Sequence, residues 1–167
     1  MDKQRSVSQA YLLEILDYDS ETGIFRWAKS RPHIKSGDIA GTIHKEGYVR
    51  IQLFKRCYAA HRLAWLYSYG DWPVGVIDHI NGKTADNRLS NLRECSITQN
   101  QYNSKLSSAN KSGVKGVYWS KSTKKWQASI RVGGQLKHLG TFDDIQDAAR
   151  ARKYAAIKFH GEYVNHG

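Results

Sequence analysis

A polar stretch in the second half of the chain limits how this sequence can fold. Residues 101–113 read QYNSKLSSANKSG, are rich in serine and asparagine, and contain Leu106 as their single large aliphatic residue. A segment of this composition has little to bury and is typical of a solvated linker. The sequence therefore predicts two separately packed modules, residues 1–103 and 113–165, joined by a basic linker at 104–112.

Composition narrows the class of protein. Of 167 residues, 40% are hydrophobic and 25% charged, as in ordinary soluble domains. No apolar run approaches the roughly 20 residues that a membrane span needs, and the first residues lack the pattern of a secretory signal. Cys57 and Cys95 are too few for a zinc knuckle or a disulfide scaffold. We therefore expect a cytoplasmic protein that is not associated with a membrane.

The charge of the chain is strongly basic and unevenly spread. Lys and Arg number 26 against 15 Asp and Glu, which gives +11. Residues 1–100 hold 14 basic and 11 acidic side chains (+3), whereas residues 101–167 hold 12 and 4 (+8). This balance favours nucleic acid as the partner. A merely basic, soluble surface and an RNA-binding or structural protein remain open on charge alone.

Hydrophobic spacing predicts the elements of the first module. Apolar residues at helical or alternating positions mark each element. The elements predicted are a helix around Tyr11–Leu16, a strand at Ile24–Trp27, a hairpin around Gly47–Ala60, and a helix in His61–Tyr69 that Pro73 closes.

The segment 76–103, VIDHINGKTADNRLSNLRECSITQNQYN, places polar groups at the end of each predicted element. A short apolar strand, Val76–Ile77, leads into Asp78 and His79, and a turn-rich loop follows. A second strand at Leu89–Arg93 carries Asn91. A helix beginning at Ser96 or Thr98 then presents Asn100. The predicted order is strand, loop, strand, helix.

Each of these polar residues has an ordinary structural alternative. A single Asp-His pair is usually a turn or a surface pair, and asparagines are common in turns and helix caps. His61 is expected to pack in its helix rather than to catalyse, although a phosphate contact stays open. The ordered set within one strand–loop–strand–helix unit favours the functional interpretation.

These residues resemble the HNH nucleases of the ββα-metal class, particularly the phage and intron-encoded homing endonucleases. The resemblance rests on the DH pair, the ING turn, the DNRLSNL stretch, the T-x-N ending and the upstream AHRLAWLYSYGDWP. It implies that His79 is the general base, that Asn91 orients it, that Asp78 is a metal ligand, and that Asn100 is the third motif position.

Elementary chemistry is consistent with those roles. Hydrolysis of a phosphodiester needs an activated water and a Lewis acid at the phosphate. A neutral imidazole can take a proton near pH 7, provided that its other nitrogen is held. Asp78 and Asn100 offer hard oxygen ligands, which favour Mg²⁺, or another divalent cation such as Mn²⁺, over zinc.

The second module reads as three strands and a helix. The strands predicted are Val117–Ser120, Lys125–Val132 and Gln135–Phe142, with a Gly133-Gly134 turn before the third. A helix at Asp144–Phe159 follows, with Asp143 as its N-cap. In the second strand Trp126, Ala128 and Ile130 should face the helix, while Gln127, Ser129 and Arg131 should form a polar front.

This module resembles the Apetala-two/ethylene-response-factor DNA-binding domain. The matching residues include Gly116-Val117, LGTF at 139–142, and the alanine-rich helix. The resemblance implies that side chains of the sheet front read base edges; those that carry over are Lys115, Tyr118, Gln127, Ser129, Arg131 and His138. In the linker, Lys105 and Lys111 are expected to contact phosphate. Tyr118, His138 and Arg152 depart from the family pattern, so the target sequence does not transfer.

The sequence as a whole predicts an α+β protein with an HNH module followed by a three-stranded antiparallel sheet packed on one helix. The function expected is a metal-dependent endonuclease that hydrolyses double-stranded DNA, of the homing type found in phages and mobile elements, in the host cytoplasm if phage-encoded. No obligate protein partner is evident. The alternative is a sequence-specific DNA-binding protein whose nuclease module is inactive.

Overall fold

The structure is a computed structural model that describes residues 7–103, 106–107 and 109–163, and of residue 162 the backbone alone. It is a mixed α+β structure, which confirms the predicted class. Backbone packing divides the chain into two compact units, Met1–Cys95 and Ser96–Gly167. No helix in the described ranges combines the length and apolarity that a membrane crossing requires.

The described part of the N-terminal unit contains two short helices and three small antiparallel sheets. Helix α1 begins after Ser8, whose Oγ accepts a hydrogen bond from the backbone N–H of Tyr11 (3.2 Å). The elements in chain order are α1 (Gln9–Ile15), β1 (Leu16–Asp19), β2 (Ile24–Trp27), β3 (Thr42–Ile43), β4 (Val49–Leu53), β5 (Arg56–Ala59), α2 (Ala60–Tyr69), β6 (Val76–His79) and β7 (Leu92–Cys95).

A single apolar core holds these elements together. Its fully buried members include Leu12 of α1, Ile51 of β4 and Leu63 of α2. Ile77 of β6 and Leu92 of β7 join the same core. Burial of each such side chain stabilises the unit by about 1.5–3 kcal/mol. The β6–β7 hairpin is therefore anchored to the core through its apolar residues.

The described part of the C-terminal unit is built from a short helix, α3 (Ile97–Tyr102), a three-stranded antiparallel sheet and a long helix, α4 (Ile145–His160). The strands are β8 (Val117–Ser120), β9 (Lys125–Val132) and β10 (Gln135–Phe142), with β9 in the centre. Helix α4 packs on one face of the sheet through alanines, whose small side chains permit a close approach; the buried apolar residues there are Val117, Ala128, Ile130, Ala148, Ala155 and Ala156.

Helix α3 packs with the C-terminal unit. The ring of Tyr102 stacks on His160 with 3.6 Å between centroids, and its hydroxyl accepts a hydrogen bond from the Gly133 N–H (3.3 Å). The Lys115 ammonium donates to the carbonyl oxygens of Gln101 and Tyr102, each at 3.2 Å. The sequence analysis placed this helix in the module 1–103, whereas its contacts are with the C-terminal unit. The boundaries of the functional domains stay a prediction.

Helix α2 ends at Tyr69, as the sequence predicts, but the residue that closes it is Gly70 in the left-handed conformation (φ 90°) and not Pro73. Two other local expectations are wrong. Leu89–Asn91 forms a 3₁₀ turn rather than a strand, and the strand begins at Leu92. The N-cap of α4 is Asp144, not Asp143, because the Asp144 carboxylate accepts from the Gln146 N–H.

Gly116 offers a test of the packing in the C-terminal unit. It has φ +76°, and a Cβ there would lie 2.4 Å from the Ser129 carbonyl oxygen and 2.7 Å from Arg152 Nε. Gly116→Ala should therefore lower the free energy of unfolding by roughly 3 kcal/mol or more, since it combines overpacking with left-handed strain.

The matched control is Gly113→Ala. Gly113 has a similar φ of +74°, but a Cβ there would meet nothing within 4 Å. It should cost only the conformational strain, about 1–2 kcal/mol. Urea denaturation of both variants measures the difference, and equal losses of stability would show that the close approach at Gly116 is unimportant.

Candidate active site

Strand β6 carries Asp78 and His79 into a buried setting. The register pairs Asp78 with Arg93 and His79 with Leu92 across the hairpin. Both residues are almost fully buried, with 5% of the surface of Asp78 and 4% of that of His79 exposed. A buried carboxylate next to a buried imidazole differs from the surface turn that an isolated Asp-His pair usually forms.

Asn87 is the residue that holds the His79 ring. Its Oδ1 lies 3.2 Å from His79 Nε2, and its own Nδ2 donates to the Ala85 carbonyl. Asn87 is 2% exposed, and its carbonyl accepts from the Tyr18 hydroxyl. An amide oxygen has no proton to give, so Nε2 must be the donor. The neutral tautomer of His79 then carries its lone pair on Nδ1.

The surroundings of His79 favour its neutral form. Burial lowers its pKa below the ordinary 6.5, against smaller raising effects of the Asn87 hydrogen bond, Asp78 and Asp86. The imidazole is therefore uncharged at neutral pH and can accept a proton. This is the state that a general base requires.

Asn91, the predicted orienting residue, secures the loop between β6 and β7. Its Oδ1 accepts from the Asn81 N–H (3.0 Å), and its Nδ2 donates to the Asp86 carbonyl (2.8 Å). These bonds tie together the start and the end of the loop that carries Asn87. Asn91 therefore secures the loop that carries Asn87, and Asn87 is the residue in contact with His79.

Asp86 and Arg88 reinforce the same loop. The Asp86 carboxylate accepts from Arg88 Nε (2.8 Å) and Nη2 (2.7 Å), and from Asn81 Nδ2 (2.8 Å). The Arg88 guanidinium holds the pKa of Asp86 well below its usual range. The loop is therefore fixed by ionic and amide hydrogen bonds as well as by the hairpin.

Asp78 is bound by the residue opposite it. Arg93 donates to Asp78 Oδ2 from Nε (2.9 Å) and from Nη2 (2.7 Å). The two side chains are 6% and 13% exposed, so the pair is shielded from water. The predicted metal ligand is a partner in a buried ion pair.

His61 contacts His79, which the sequence did not suggest. The two rings meet edge to face with 5.0 Å between centroids, and Tyr48 lies within 6 Å of both. Burial, with smaller effects of His79, Arg62 and Arg50, lowers the pKa of His61 to about 3. His61 is thus a neutral packing partner of His79, in line with the predicted structural role.

The low pKa of His61 predicts acid sensitivity of the N-terminal unit. In the unfolded chain His61 is protonated near pH 6.5, whereas in the folded protein it is protonated only near pH 3. The folded state therefore loses stability as the pH falls from 6.5 towards 3. Between pH 7 and pH 4.5 we expect this effect of His61 to lower the free energy of unfolding by about 2–3 kcal/mol. Urea denaturation followed by tryptophan fluorescence measures it.

The variant His61→Gln should remove this part of the pH dependence. His44→Gln is the control, because His44 is an exposed histidine of the same unit. If the two variants lose stability equally steeply with acid, His61 is not the group responsible.

Asp78 does not belong to a larger group of metal-binding acidic, histidine or cysteine side chains in the part of the chain that the structure describes. The Asp78 carboxylate is a hard ligand, and a site with few protein ligands fits Mg²⁺, which retains waters and phosphate oxygens. Asn100, the other predicted ligand, is half-buried on α3, and its N–H donates to the Ser96 carbonyl (3.0 Å).

The predicted DNA-reading face is partly as expected. Tyr118, Gln127 and Arg131 lie on the face of the sheet opposite α4, and the Tyr118 hydroxyl donates to Gln127 Oε1 (2.7 Å). Arg131 is exposed, and its Nη1 donates to the Gly134 carbonyl (3.0 Å). His138 is exposed beside Ser129 on the neighbouring strand.

Two other residues that were predicted to contact DNA, Ser129 and Lys115, are not on the open front of the sheet. Ser129 is 8% exposed, so its expected place on an open front is wrong; its N–H and its Oγ donate to the Gly116 carbonyl, at 2.8 and 3.5 Å. Lys115 is half-buried and binds the end of α3. In the linker Lys111 is exposed, and Lys105 lies outside the described residues.

Comparisons with known proteins place this segment in a family. A model of the HNH endonuclease family matches residues 58–102. Protein 3.8 of Escherichia phage T7 is 31% identical over 118 residues, which are 66% of this chain and 94% of that protein. The chain contains an HNH endonuclease domain. The HNH homing endonuclease I-HmuI, whose structure describes DNA binding and cleavage, aligns at a TM-score of 0.44 with 23% identity, over 87% of this chain and 85% of that chain.

Membership of the HNH family supports a DNA nuclease, as the sequence predicts. The matched segment contains the four residues assigned from sequence, Asp78, His79, Asn91 and Asn100, and also Asn87, His61 and Arg93. Asn87 was missed because it is one of two asparagines in the DNRLSNL stretch, and the sequence does not show which of them faces the histidine.

Proposed function

We propose that this protein is a metal-dependent endonuclease that hydrolyses phosphodiester bonds in double-stranded DNA. The observation that carries the proposal is the buried, neutral His79, held through Nε2 by Asn87 and adjacent in sequence to Asp78. A histidine in this state is a general base poised for proton transfer near neutral pH. The family membership of the segment supports DNA as the substrate.

In the proposed mechanism His79 Nδ1 takes the proton of the attacking water. The Asn87 amide keeps the ring in the tautomer that leaves Nδ1 basic, and it stabilises the imidazolium that forms. Asp78 and Asn100 are the proposed ligands of a Mg²⁺ or Mn²⁺ ion, which when bound supplies Lewis acidity at the phosphate. Asn91 keeps the loop that carries Asn87 in place.

The C-terminal unit is proposed to hold the DNA. Its net charge of +8 over residues 101–167 suits contact with phosphates, which dominates non-specific affinity. The exposed residues of the sheet are the proposed base readers, in keeping with the Apetala-two/ethylene-response-factor resemblance, which remains a proposal. The phage relative fits a homing-type nuclease that works in the host cytoplasm.

Incubation of purified protein with supercoiled plasmid tests the function. With Mg²⁺ the plasmid should be nicked or linearised, and EDTA should abolish the reaction. One observation favours the alternative, a DNA-binding protein with an inactive nuclease module: Arg93 occupies an oxygen of the predicted metal ligand Asp78. Tight DNA binding without cleavage in Mg²⁺ or Mn²⁺ would support that alternative.

Arg131 is expected to read a base. It is exposed on the central strand, and a guanidinium can bind guanine O6 and N7 in a two-pronged manner. Arg131→Ala should cost about 1–3 kcal/mol of affinity for the preferred site and relax the preference at one position. The competing interpretation, an ion pair with Asp143, is disfavoured because Asp143 pairs with Lys125.

Lys111→Ala is the control for Arg131→Ala. As an exposed linker residue, Lys111 should contact only phosphate. Its loss should therefore lower the affinity for every DNA sequence equally, and it should reduce the slope of log affinity against log salt concentration by about one. Binding-site selection on both variants separates the two roles. If Arg131→Ala lowers affinity equally for every sequence, Arg131 does not read bases.

A further inference from the structure

The open face of the sheet in the C-terminal unit carries a hydrogen bond between two neighbouring side chains. Tyr118 of β8 lies directly opposite Gln127 of β9, and both point away from α4, since the next residue of β9, Ala128, is buried against that helix. The Tyr118 hydroxyl donates to Gln127 Oε1 at 2.7 Å, the ordinary length of an O–H···O hydrogen bond. This bond determines which end of the Gln127 amide is free.

The nitrogen of the Gln127 amide is available for other contacts. In the ranges of the chain that the structure describes, the side chain of Gln127 bonds with Tyr118 alone. Its neighbour on the other side, Thr141, has its hydroxyl 3.4 Å from His138 Nε2. Tyr118 is 47% exposed and Gln127 is half-buried, so the pair lies at the surface of the sheet. The amide therefore has two unbonded N–H donors, whereas its oxygen is held by the phenol.

The chemistry of the two groups explains the direction of this bond. An amide oxygen only accepts, whereas a phenol carries a proton to donate. If the amide were turned round, its N–H would donate to the phenol oxygen, and the phenol proton would lose its partner on the protein. The bond from Tyr118 therefore favours one orientation of the Gln127 amide, with the nitrogen away from the phenol.

Two N–H donors suit the major-groove edge of guanine. Guanine presents two acceptors there, O6 and N7, which a group with several donors, such as the lysine ammonium, binds together. Adenine presents N7 beside its N6 amino group, which is a donor, and a glutamine binds that pair only through its amide oxygen and nitrogen together. Cytosine presents an amino donor, and thymine presents a single acceptor, O4. An amide whose oxygen is held therefore favours guanine over adenine.

We propose that Gln127 reads a guanine and that Tyr118 sets this preference by holding the amide oxygen. Without the phenol hydroxyl the amide turns, and adenine can then bind through N6 and N7. The inference rests on the proposed function, in which the exposed residues of this sheet contact bases. It assigns the base, and it separates the roles of the two residues: Gln127 contacts the base, and Tyr118 is a positioning residue that acts through Gln127.

Binding-site selection with the full chain tests the proposal. The parent is His79→Ala, chosen so that the DNA stays intact. Gln127→Ala identifies the position that Gln127 reads, because the base preference at that position should be lost. There the parent should favour guanine over adenine by about tenfold, a usual discrimination for a two-pronged base contact. In Tyr118→Phe this ratio should fall close to one, because the amide is free to present its oxygen.

Tyr154→Phe is the matched control. It removes the hydroxyl of another exposed tyrosine of the same unit, one that lies on α4. It should keep the parent's ratio of guanine to adenine. An unchanged ratio in Tyr118→Phe, an equal fall in Tyr154→Phe, or a preference for adenine in the parent would overturn the inference and leave the nuclease proposal standing. A parent without base preference at any position would overturn the proposed base reading by the sheet as well.

A measurement with Tyr118 intact covers the case in which Tyr118→Phe does not fold. At the position read by Gln127, adenine is replaced by purine, which lacks the N6 amino group. If the amide presents its donors, this replacement removes an unfavourable contact between two donors. The parent should then bind the purine duplex more tightly than the adenine duplex. Equal or weaker binding of the purine duplex would overturn the proposal, since weaker binding means that the amide oxygen contacts N6.

Discussion

Replacement of His79 by alanine is expected to slow plasmid cleavage by roughly 10²–10⁴-fold while leaving DNA affinity nearly unchanged. His79 is the one residue proposed to move a proton, and it is buried in the neutral form that can do so. The charges proposed to hold DNA lie elsewhere in the chain. The measurement is the initial rate of plasmid nicking, beside a gel-shift titration of the same preparation.

His44→Ala is the control for this loss of rate. His44 is an exposed histidine of the same unit that pairs with Glu46, and its removal should leave cleavage unaltered. Added imidazole should restore part of the rate to His79→Ala, because the missing group is a base. Undiminished cleavage by His79→Ala would mean that the base lies elsewhere or that the activity belongs to a contaminant.

Replacement of Asn87 by alanine is expected to lower the cleavage rate by about 10–100-fold, the usual effect of losing the residue that orients an essential histidine. It should also move the pH profile. Burial already lowers the pKa of His79 below 6.5, and the Asn87 hydrogen bond partly opposes this. The acid limb of kcat/KM should thus lie below pH 6.5 in the native protein and at still lower pH in Asn87→Ala.

Asn87→Asp should shift the acid limb of the kcat/KM profile in the opposite direction. A carboxylate in place of the amide stabilises the imidazolium, so the acid limb should move to higher pH. A residue with only a structural role cannot shift the profile in opposite directions through two substitutions. Identical pH profiles for both variants would exclude Asn87 as the partner that tunes His79.

Much of the fold follows from local patterns. The alternation of Trp126, Ala128 and Ile130 with polar residues correctly predicted which face of β9 is covered by α4, because side chains on a strand alternate between faces. Of the two starts that the sequence left open for α3, the structure has Ser96, whose side chain forms a capping box with Gln99. The N-cap of α4 was placed one residue too early, because Asp143 and Asp144 are adjacent carboxylates that can each cap a helix.

The sequence by itself determined the order of the polar groups around Asp78 and His79, and the charge that points to DNA. Tertiary structure decided which groups meet. Asn87 rather than Asn91 faces His79 because the β6–β7 loop, tied by Asn91 and Asp86, folds back over the strand end. Ser129 is buried although it lies on the front of the sheet, and His61 of helix α2 contacts His79 of strand β6. Such contacts depend on packing between distant elements, which periodicity along one element cannot encode.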